Sequence, residues 1–188
     1  MGTETPYSNA RSLQSQLVGL SQDEQQAVAL KWAEENGRII DMFGEFAKER
    51  HLLVFKSGNE FENWIDPLLN VVYKMNNLMH VGGDIHKLLE RISNYNELFP
   101  ETALRLIGFH KMSSNNIYPV FVQSFISNAR FATTDEIERF MKWMDFKPML
   151  REGYFENDRF ILSDIKPKNV LCTDNGTMFV IDAEIQSK

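Results

Sequence analysis

Ser163-Asp164-Ile165-Lys166-Pro167-Lys168-Asn169-Val170-Leu171 is the stretch on which the reading of this chain turns, and Val180-Ile181-Asp182 follows it after a short connection. Asp174-Asn175-Gly176 separates Asn169-Val170-Leu171-Cys172 from Met178-Phe179-Val180-Ile181, which is the pattern of a tight β-hairpin. One loop is therefore expected to carry Asp164, Lys166 and Asn169, with Asp182 at the far end of the hairpin. Phosphoryl transfer from a metal-bound nucleotide asks little covalent chemistry of a protein but a good deal of oriented charge. The spacing supplies that charge. An Asp can accept or orient a hydroxyl, a Lys can meet the transferring phosphate, and an Asn and a second Asp can hold magnesium. Taken alone, the loop also reads as a polar turn stiffened by Pro167.

Downstream and upstream of this loop the pattern is mixed. Thr134-Asp135-Glu136 opens a helix of about 11 to 13 residues carrying Ile137, Phe140, Met141 and Met144. Lys147 to Phe155 reads as a strand or extended loop, and Phe160-Ile161-Leu162 as a short strand. Earlier, Leu52 to Phe55 and the run Phe61, Trp64, Ile65 flank the turn Ser57-Gly58-Asn59, which predicts a hairpin. Val71-Val72-Tyr73-Lys74-Met75 is a third strand. Gly82-Gly83-Asp84 leads into a helix with Ile85, Leu88, Leu89, Ile92 and Tyr95, stopped at Phe99-Pro100. Two further strands, around Leu104, Leu106, Ile107 and from Tyr118 to Ile126, are joined by the polar loop Ser113-Ser114-Asn115-Asn116. The expected order is β-β-β-α-β-β.

At the start of the chain, residues 1–20 are polar and weakly periodic, as in a loosely held arm. Ser21 and Glu24 form a capping-box pattern before Ala27, Val28, Leu30 and Ala33, and Asn36-Gly37 ends or bends that helix. Ile39, Ile40, Met42, Phe43, Phe46 and Ala47 make a second apolar stripe, expected to pack on the domain.

Composition narrows the function by exclusion. The 188 residues, 43% hydrophobic, can bury one good core or two small lobes sharing a cleft. With 20 basic against 26 acidic residues and a net charge of −6, the chain has no basic field for a nucleic-acid backbone or an anionic membrane. Cys172 is the single cysteine, which rules out an internal disulfide and a cysteine zinc cluster and fits a reducing cytoplasm. Met1 to Tyr7 lacks an export pattern, and no run of 18 apolar residues occurs. His51, His80, His86 and His110 are scattered without a helical metal-pair spacing. No G-x-S-x-G elbow accompanies the Ser, His and Asp residues.

The pattern D-x-K-P-x-N-V-L from Asp164 to Leu171, with an Asp thirteen residues after the Asn, resembles the catalytic loop and metal-binding segment of protein kinases. The resemblance implies that Asp164 is the base or hydroxyl-orienting residue, Lys166 the γ-phosphate contact, and Asn169 and Asp182 the magnesium ligands. Val71-Val72-Tyr73-Lys74 is similar to the kinase third-strand lysine motif, which implies that Lys74 meets the α- and β-phosphates of ATP. Glu90 in the following helix would pair with Lys74, and Glu97 is the competing candidate. Gly58 falls where the phosphate-covering loop belongs, with one glycine instead of three. Gln123, Ser124 and Phe125 fall where adenine is bound, chiefly by backbone groups.

Departures accompany the matches. Leu162-Ser163-Asp164 stands for His-Arg-Asp, Asp182-Ala183-Glu184 for Asp-Phe-Gly, and no activation segment or later helices follow. The short form most resembles the compact Ser/Thr/Tyr-kinase-like domains of bacterial polyvalent proteins, from about His51 to Ile185. It implies an α+β, minimal protein-kinase-like fold: an antiparallel N-lobe sheet with one C-helix and a truncated C-lobe, preceded by N-terminal helices. The corresponding domains are residues 1–50 for the arm and helices, 51–126 for the N-lobe and hinge, and 127–188 for the C-lobe. It also implies a bacterial, cytoplasmic ATP- and Mg2+-dependent phosphotransferase acting on Ser, Thr or Tyr of a protein, or an inactive module of the same shape. The partner and oligomeric state are not encoded in any motif.

Overall fold

The helix expected after Ser21 forms as α2 (Gln22–Glu35) in the computed structural model, which describes residues 6–55, 58, 60–112 and 116–188. Its capping box is complete: the Glu24 amide donates to Ser21 Oγ at 3.4 Å, and the Ser21 amide donates to Glu24 Oε2 at 2.8 Å. Asn36 caps it, and Gly37 at φ +61° turns the chain away in the left-handed region.

One expectation for the N-terminal part is corrected, and another is met in an unexpected form. The polar arm contains a helix, α1 (Pro6–Leu17), whose Leu13 and Leu17 are fully buried. Two leucines one turn apart give a polar helix an apolar seat that composition conceals. The stripe from Ile39 to Ala47 packs on the domain as read, with Ile40 and Met42 in the core and Phe46 against it, but only α3 (Glu45–Glu49) of it is helical. Instead Ile39 bridges Phe109 in parallel, with the Phe109 amide donating to the Arg38 carbonyl at 2.8 Å and the Ile40 amide to the Phe109 carbonyl at 2.9 Å. Gly108 permits this approach, because a Cβ there would stand 2.2 Å from the Arg38 carbonyl oxygen. A free sheet edge offered better backbone bonding than another helical turn.

The chain divides into two compact units. The first comprises residues 1–90 and 104–125. Its sheet contains β1 (Leu53–Phe55), β2 (Phe61–Asp66), β3 (Val71–Asn76), β4 (Arg105–Lys111) and β5 (Ile117–Ser124), all antiparallel in the order β1-β2-β3-β5-β4. Trp64 lies opposite Tyr73 and Tyr73 opposite Val122, so these share one face, which packs with Ile40, Met42, Met75 and Val120. Asn63, Lys74 and Phe121 are likewise in register and share the other face. Of the connections, Ser57, Asn59 and the loop residues Ser113, Ser114 and Asn115 lie outside the described residues.

Helix α4 (Ile85–Leu98) buries Ile85, Leu88, Leu89, Ile92 and Tyr95, the stripe read from the sequence, and the division between units falls inside it at Glu90/Arg91. The second unit comprises residues 91–103 and 126–188. It holds β6 (Ala129–Phe131), α5 (Thr134–Trp143), β7 (Lys147–Pro148), β8 (Phe155–Glu156), β9 (Phe160–Ser163), β10 (Val170–Thr173), β11 (Met178–Val180) and β12 (Glu184–Ser187). They make two antiparallel sheets, β11-β10-β6 and β12-β9-β8-β7. Helix α5 is a little shorter than expected: it starts at Thr134 as read, behind a Thr133–Glu136 capping box, and ends at Trp143 with Met144 as its C-cap. Arg130 grips that box: it donates to both carboxylate oxygens of Glu136 and, with the Thr133 bonds, holds the Glu136 carboxyl down at about 2. Strands β6 and β12 escape sequence reading, since each is short and defined by its partner strand.

The chain is thus a mixed α and β protein with antiparallel sheets and five α-helices among the described residues. No helix of the described residues is long and apolar enough to cross a membrane.

Candidate active site

Strand β9 ends at Ser163, and Asp164 follows with φ +59°, a left-handed conformation that Asp tolerates better than most residues. Pro167, with its fixed φ, opens the 3-10 turn Pro167–Asn169, closed by the Asn169 amide donating to the Lys166 carbonyl at 2.8 Å. The turn carries Asn169 back onto Asp164. Its Nδ2 donates both to the Asp164 carbonyl and to Asp164 Oδ2, each at 2.8 Å. Lys166 Nζ stands 2.9 Å from Asp164 Oδ1, and Lys168 Nζ 3.4 Å from Oδ2. Three of the residues singled out in the loop are therefore in direct contact. A fourth group, Lys168, escaped the sequence reading; its i,i+4 offset from Asp164 was the available signal.

Partial burial pushes the Asp164 carboxyl up. Hydrogen bonds from Lys166 and Asn169 and the charges of Lys168 and Lys166 outweigh it, and the group is held below the ordinary Asp value. The same bond raises Lys166. Asp164 is thus a firmly ionised carboxylate, suited to holding and orienting a hydroxyl proton and poorly suited to taking it early.

Asp182 is placed by two backbone anchors. Val170 pairs with Val180 in the hairpin, and the Ile181 amide extends the ladder to the Asn169 carbonyl at 2.9 Å. Beyond it, β12 pairs with β9 with Glu184 opposite Ser163, and Ser163 Oγ donates to Glu184 Oε2 at 3.1 Å. Asp182 and Ala183 span the interval between these anchors, whose other halves are Asn169 and Ser163, the residue before Asp164. With its Nδ2 engaged twice, Asn169 has Oδ1 left to offer; that atom and the Asp182 carboxylate are hard oxygen donors of the kind magnesium takes.

Gly153 supports the loop from outside. Its carbonyl accepts from the Ile165 amide at 3.0 Å, its φ is +75°, and a Cβ there would lie 2.9 Å from Lys166 Cγ. The aliphatic stem of Lys166 therefore rests where a side chain would be. A cavity of about 70 Å³ adjoins it, with Ile137, Glu138, Arg151, Tyr154, Lys166 and Pro167 among its walls. Neither Gly153 nor Arg91 was foreseen. Burial pushes the Arg91 guanidinium down, against the opposing fields of Glu184 and Asp182.

In the first unit the expected nucleotide residues are dispersed over several elements. Lys74 on β3 is only 8% exposed, and its Nζ lies 5.6 Å from the centroid of the Phe61 ring, unlike the solvated lysine usual at a strand end. The expected Lys74–Glu90 ion pair is not formed: Glu90 is exposed, on the side of α4 shared with Lys87 and Glu97, while the buried stripe takes the helical positions on either side. Glu97 is engaged elsewhere, by Arg159 Nη2 at 2.7 Å. Gln123 is buried on β5 opposite Val72. The Phe125 amide donates to the Asn70 carbonyl at 3.1 Å and its carbonyl accepts from Asn70 Nδ2 at 3.4 Å. The Gly58 amide closes a turn onto the Phe61 carbonyl at 3.1 Å, and a Cβ there would meet nothing within 4 Å.

No curated protein matches the chain. A family model described as serine/threonine/tyrosine kinase found in polyvalent proteins matches residues 22–188, taking in α2 and the Ile39 segment as well as the region from His51 onward where the motifs lie. The contacts among Asp164, Lys166 and Asn169 and this match over most of the sequence agree, and the chain belongs to the kinases found in polyvalent proteins.

Proposed function

We propose that this kinase transfers the γ-phosphoryl group of ATP, with magnesium, to a Ser, Thr or Tyr hydroxyl of a protein, and that it does so with a minimal protein-kinase-like fold. The observation that carries the reading is the Asp164 carboxylate held by Lys166, Lys168 and Asn169, with Asp182 one residue beyond the Asn169–Ile181 bond. Residues 51–126 serve as the N-lobe and hinge, 127–188 as the C-lobe, and residues 1–50 as an added N-terminal element.

Asp164 orients the acceptor hydroxyl, whose oxygen attacks phosphorus as the bond to the bridging oxygen of ADP breaks; the hydroxyl proton leaves late, because the carboxylate is a weak base. Lys166 neutralises charge on the transferring group, and Lys168 adds a second cation beside it. Asn169 Oδ1 and Asp182 would hold magnesium, which would supply positive charge against the phosphate chain. Lys74 meets the α- and β-phosphates, the Gly58 turn covers them, and Gln123 to Phe125 take the adenine end. Glu90 would enter by pairing with Lys74 when nucleotide is bound. The cavity beside Lys166 gives an acceptor side chain a place to enter. The chain acts in a bacterial cytoplasm, on a protein partner, without nucleic acid or membrane.

A second reading, a kinase-like module that binds nucleotide or a partner without turnover, is favoured by the exposed Glu90 and by the Phe125 amide being spent on Asn70. Incubation with γ-labelled ATP and magnesium, with and without generic protein acceptors, separates the two. Label is expected in acceptor or in the chain itself for wild type, and in neither for Asp182→Ala or Lys74→Ala. Nucleotide binding without label in the wild type supports the module; neither binding nor label overturns the phosphotransferase.

A further inference from the structure

The peptide unit joining Val180 to Ile181 is held on both sides. Its oxygen accepts from Tyr95 Oη at 2.6 Å and from Thr102 Oγ1 at 2.6 Å, and its N–H donates to the Asn169 carbonyl at 2.9 Å. The two hydroxyls are themselves 2.9 Å apart, and Tyr95, Thr102 and Val180 are each 1% exposed. Strand β11 is the edge of its sheet, so no neighbouring strand satisfies its outer side. Tyr95, from the last part of α4, and Thr102, from the 3-10 turn Pro100–Thr102, do so instead. All of these residues belong to the second unit.

Packing alone does not call for this arrangement. Phe at 95 and Val at 102 would fill the same volume without burying two hydroxyls that must each find a partner. What the hydroxyls add is direction: with both the C=O and the N–H of one peptide fixed, its plane cannot rotate, and Asp182 is the next residue but one from Val180.

Building on the proposed phosphotransfer reading, we propose that Tyr95 and Thr102 are positioning residues for Asp182, clamping the Val180–Ile181 peptide so that the carboxylate stands ready for a divalent cation. They touch neither metal nor nucleotide; they act through the backbone.

The test uses the full chain with Tyr95→Phe, Thr102→Val, the double variant and Thr102→Ser. Manganese binding in the presence of ATP is followed by electron paramagnetic resonance, and amide hydrogen exchange is followed across residues 178–185. The double variant is expected to need about tenfold more manganese for half-saturation, as fits the loss of two buried hydrogen bonds, with each single variant less affected. Thr102→Ser, which keeps the hydroxyl, restores wild-type binding. At saturating metal the KM for ATP is unchanged, and the Ile181 amide exchanges faster. Wild-type manganese affinity in the double variant, with or without a lower melting temperature, overturns the clamp. If the wild type binds neither manganese nor ATP, the phosphotransfer reading fails by itself. The clamp is then judged on exchange: faster exchange confined to residues 180–184 supports it, and unchanged protection there overturns it.

Discussion

The loop lysine and the third-strand lysine make a contrast: Lys166, expected at the γ-phosphate, sits against Asp164, whereas Lys74, expected to pair with Glu90, does not meet it. Lys166 meets Asp164 at 2.9 Å inside one loop, whereas Lys74 is buried beside Phe61 and its expected partner Glu90 is exposed on α4. The first pair is two residues apart, so a single turn with Pro167 in it decides the contact. The second joins a strand to a helix, and its geometry depends on the rotation of α4 about its axis. A short-range motif brings its own geometry; a long-range pair does not.

The steepest way to break this contrast is to remove the carboxylate that organises the loop. Asp164→Asn keeps the shape but discards the charge that Lys166 and Lys168 neutralise, and phosphotransfer is expected to fall about a thousandfold. A loss below tenfold in turnover assays would show that the loop's ion cluster is structural. Next comes the lysine pair. Lys166→Ala is expected to lose about a hundredfold and Lys168→Ala about tenfold, and the double variant to depart from additivity because both ammonium groups share Asp164. Strict additivity in single-turnover rates would deny that sharing.

Gly153→Ala probes the same lysine from behind. A methyl group 2.9 Å from Lys166 Cγ, at φ +75°, is expected to lower kcat about tenfold while leaving the KM for ATP alone. A change in KM instead would place Gly153 in nucleotide binding. Glu90→Gln is the complementary test in the first unit. With Glu90 exposed and unpaired with Lys74 in this state, KM for ATP is expected to stay within about twofold of wild type, the effect usual for a surface carboxylate. A large rise would show that the pair forms once nucleotide is bound.

The smallest effect is on stability against pH. The folded Asp164 carboxyl titrates below its unfolded value, so its contribution is fully present above about pH 4 and is lost as pH falls through the folded value. Urea melts of wild type and Asp164→Asn should therefore differ most near neutrality and converge in acid. Because Asp164 is 35% exposed, solvent screens the interaction and the gap is expected to be modest. A gap that widens in acid would reverse the assigned direction.

Much of the second unit's site could be read directly, and the reason is local. Asp174-Asn175-Gly176 dictates the hairpin, the hairpin pairs Val170 with Val180, and Ile181 then reaches the Asn169 carbonyl. Lys168 was missed although it stands four residues from Asp164, and Gly153 because nothing in its spacing marks it; each matters through a neighbour in space. The same holds for the N-terminal part. Leu13 and Leu17 lie in polar surroundings that suggest a loose arm, and Ile39 lies in a helical pattern that the edge of β4 overrides.

By itself, then, the sequence determined the helices with caps and stripes, the succession of strands and helix along the first unit, and the placing of Asp164, Lys166 and Asn169 on one loop. Each rests on interactions within a few residues, where covalent geometry leaves few choices. Tertiary structure alone decided that Lys74 is buried while Glu90 is not, that Gly108 admits Arg38 and Ile40 to the sheet, and that Tyr95 and Thr102 clamp the peptide ahead of Asp182. Those outcomes depend on which elements meet, and a side chain's period along its own helix or strand says which face it occupies but not what that face will meet.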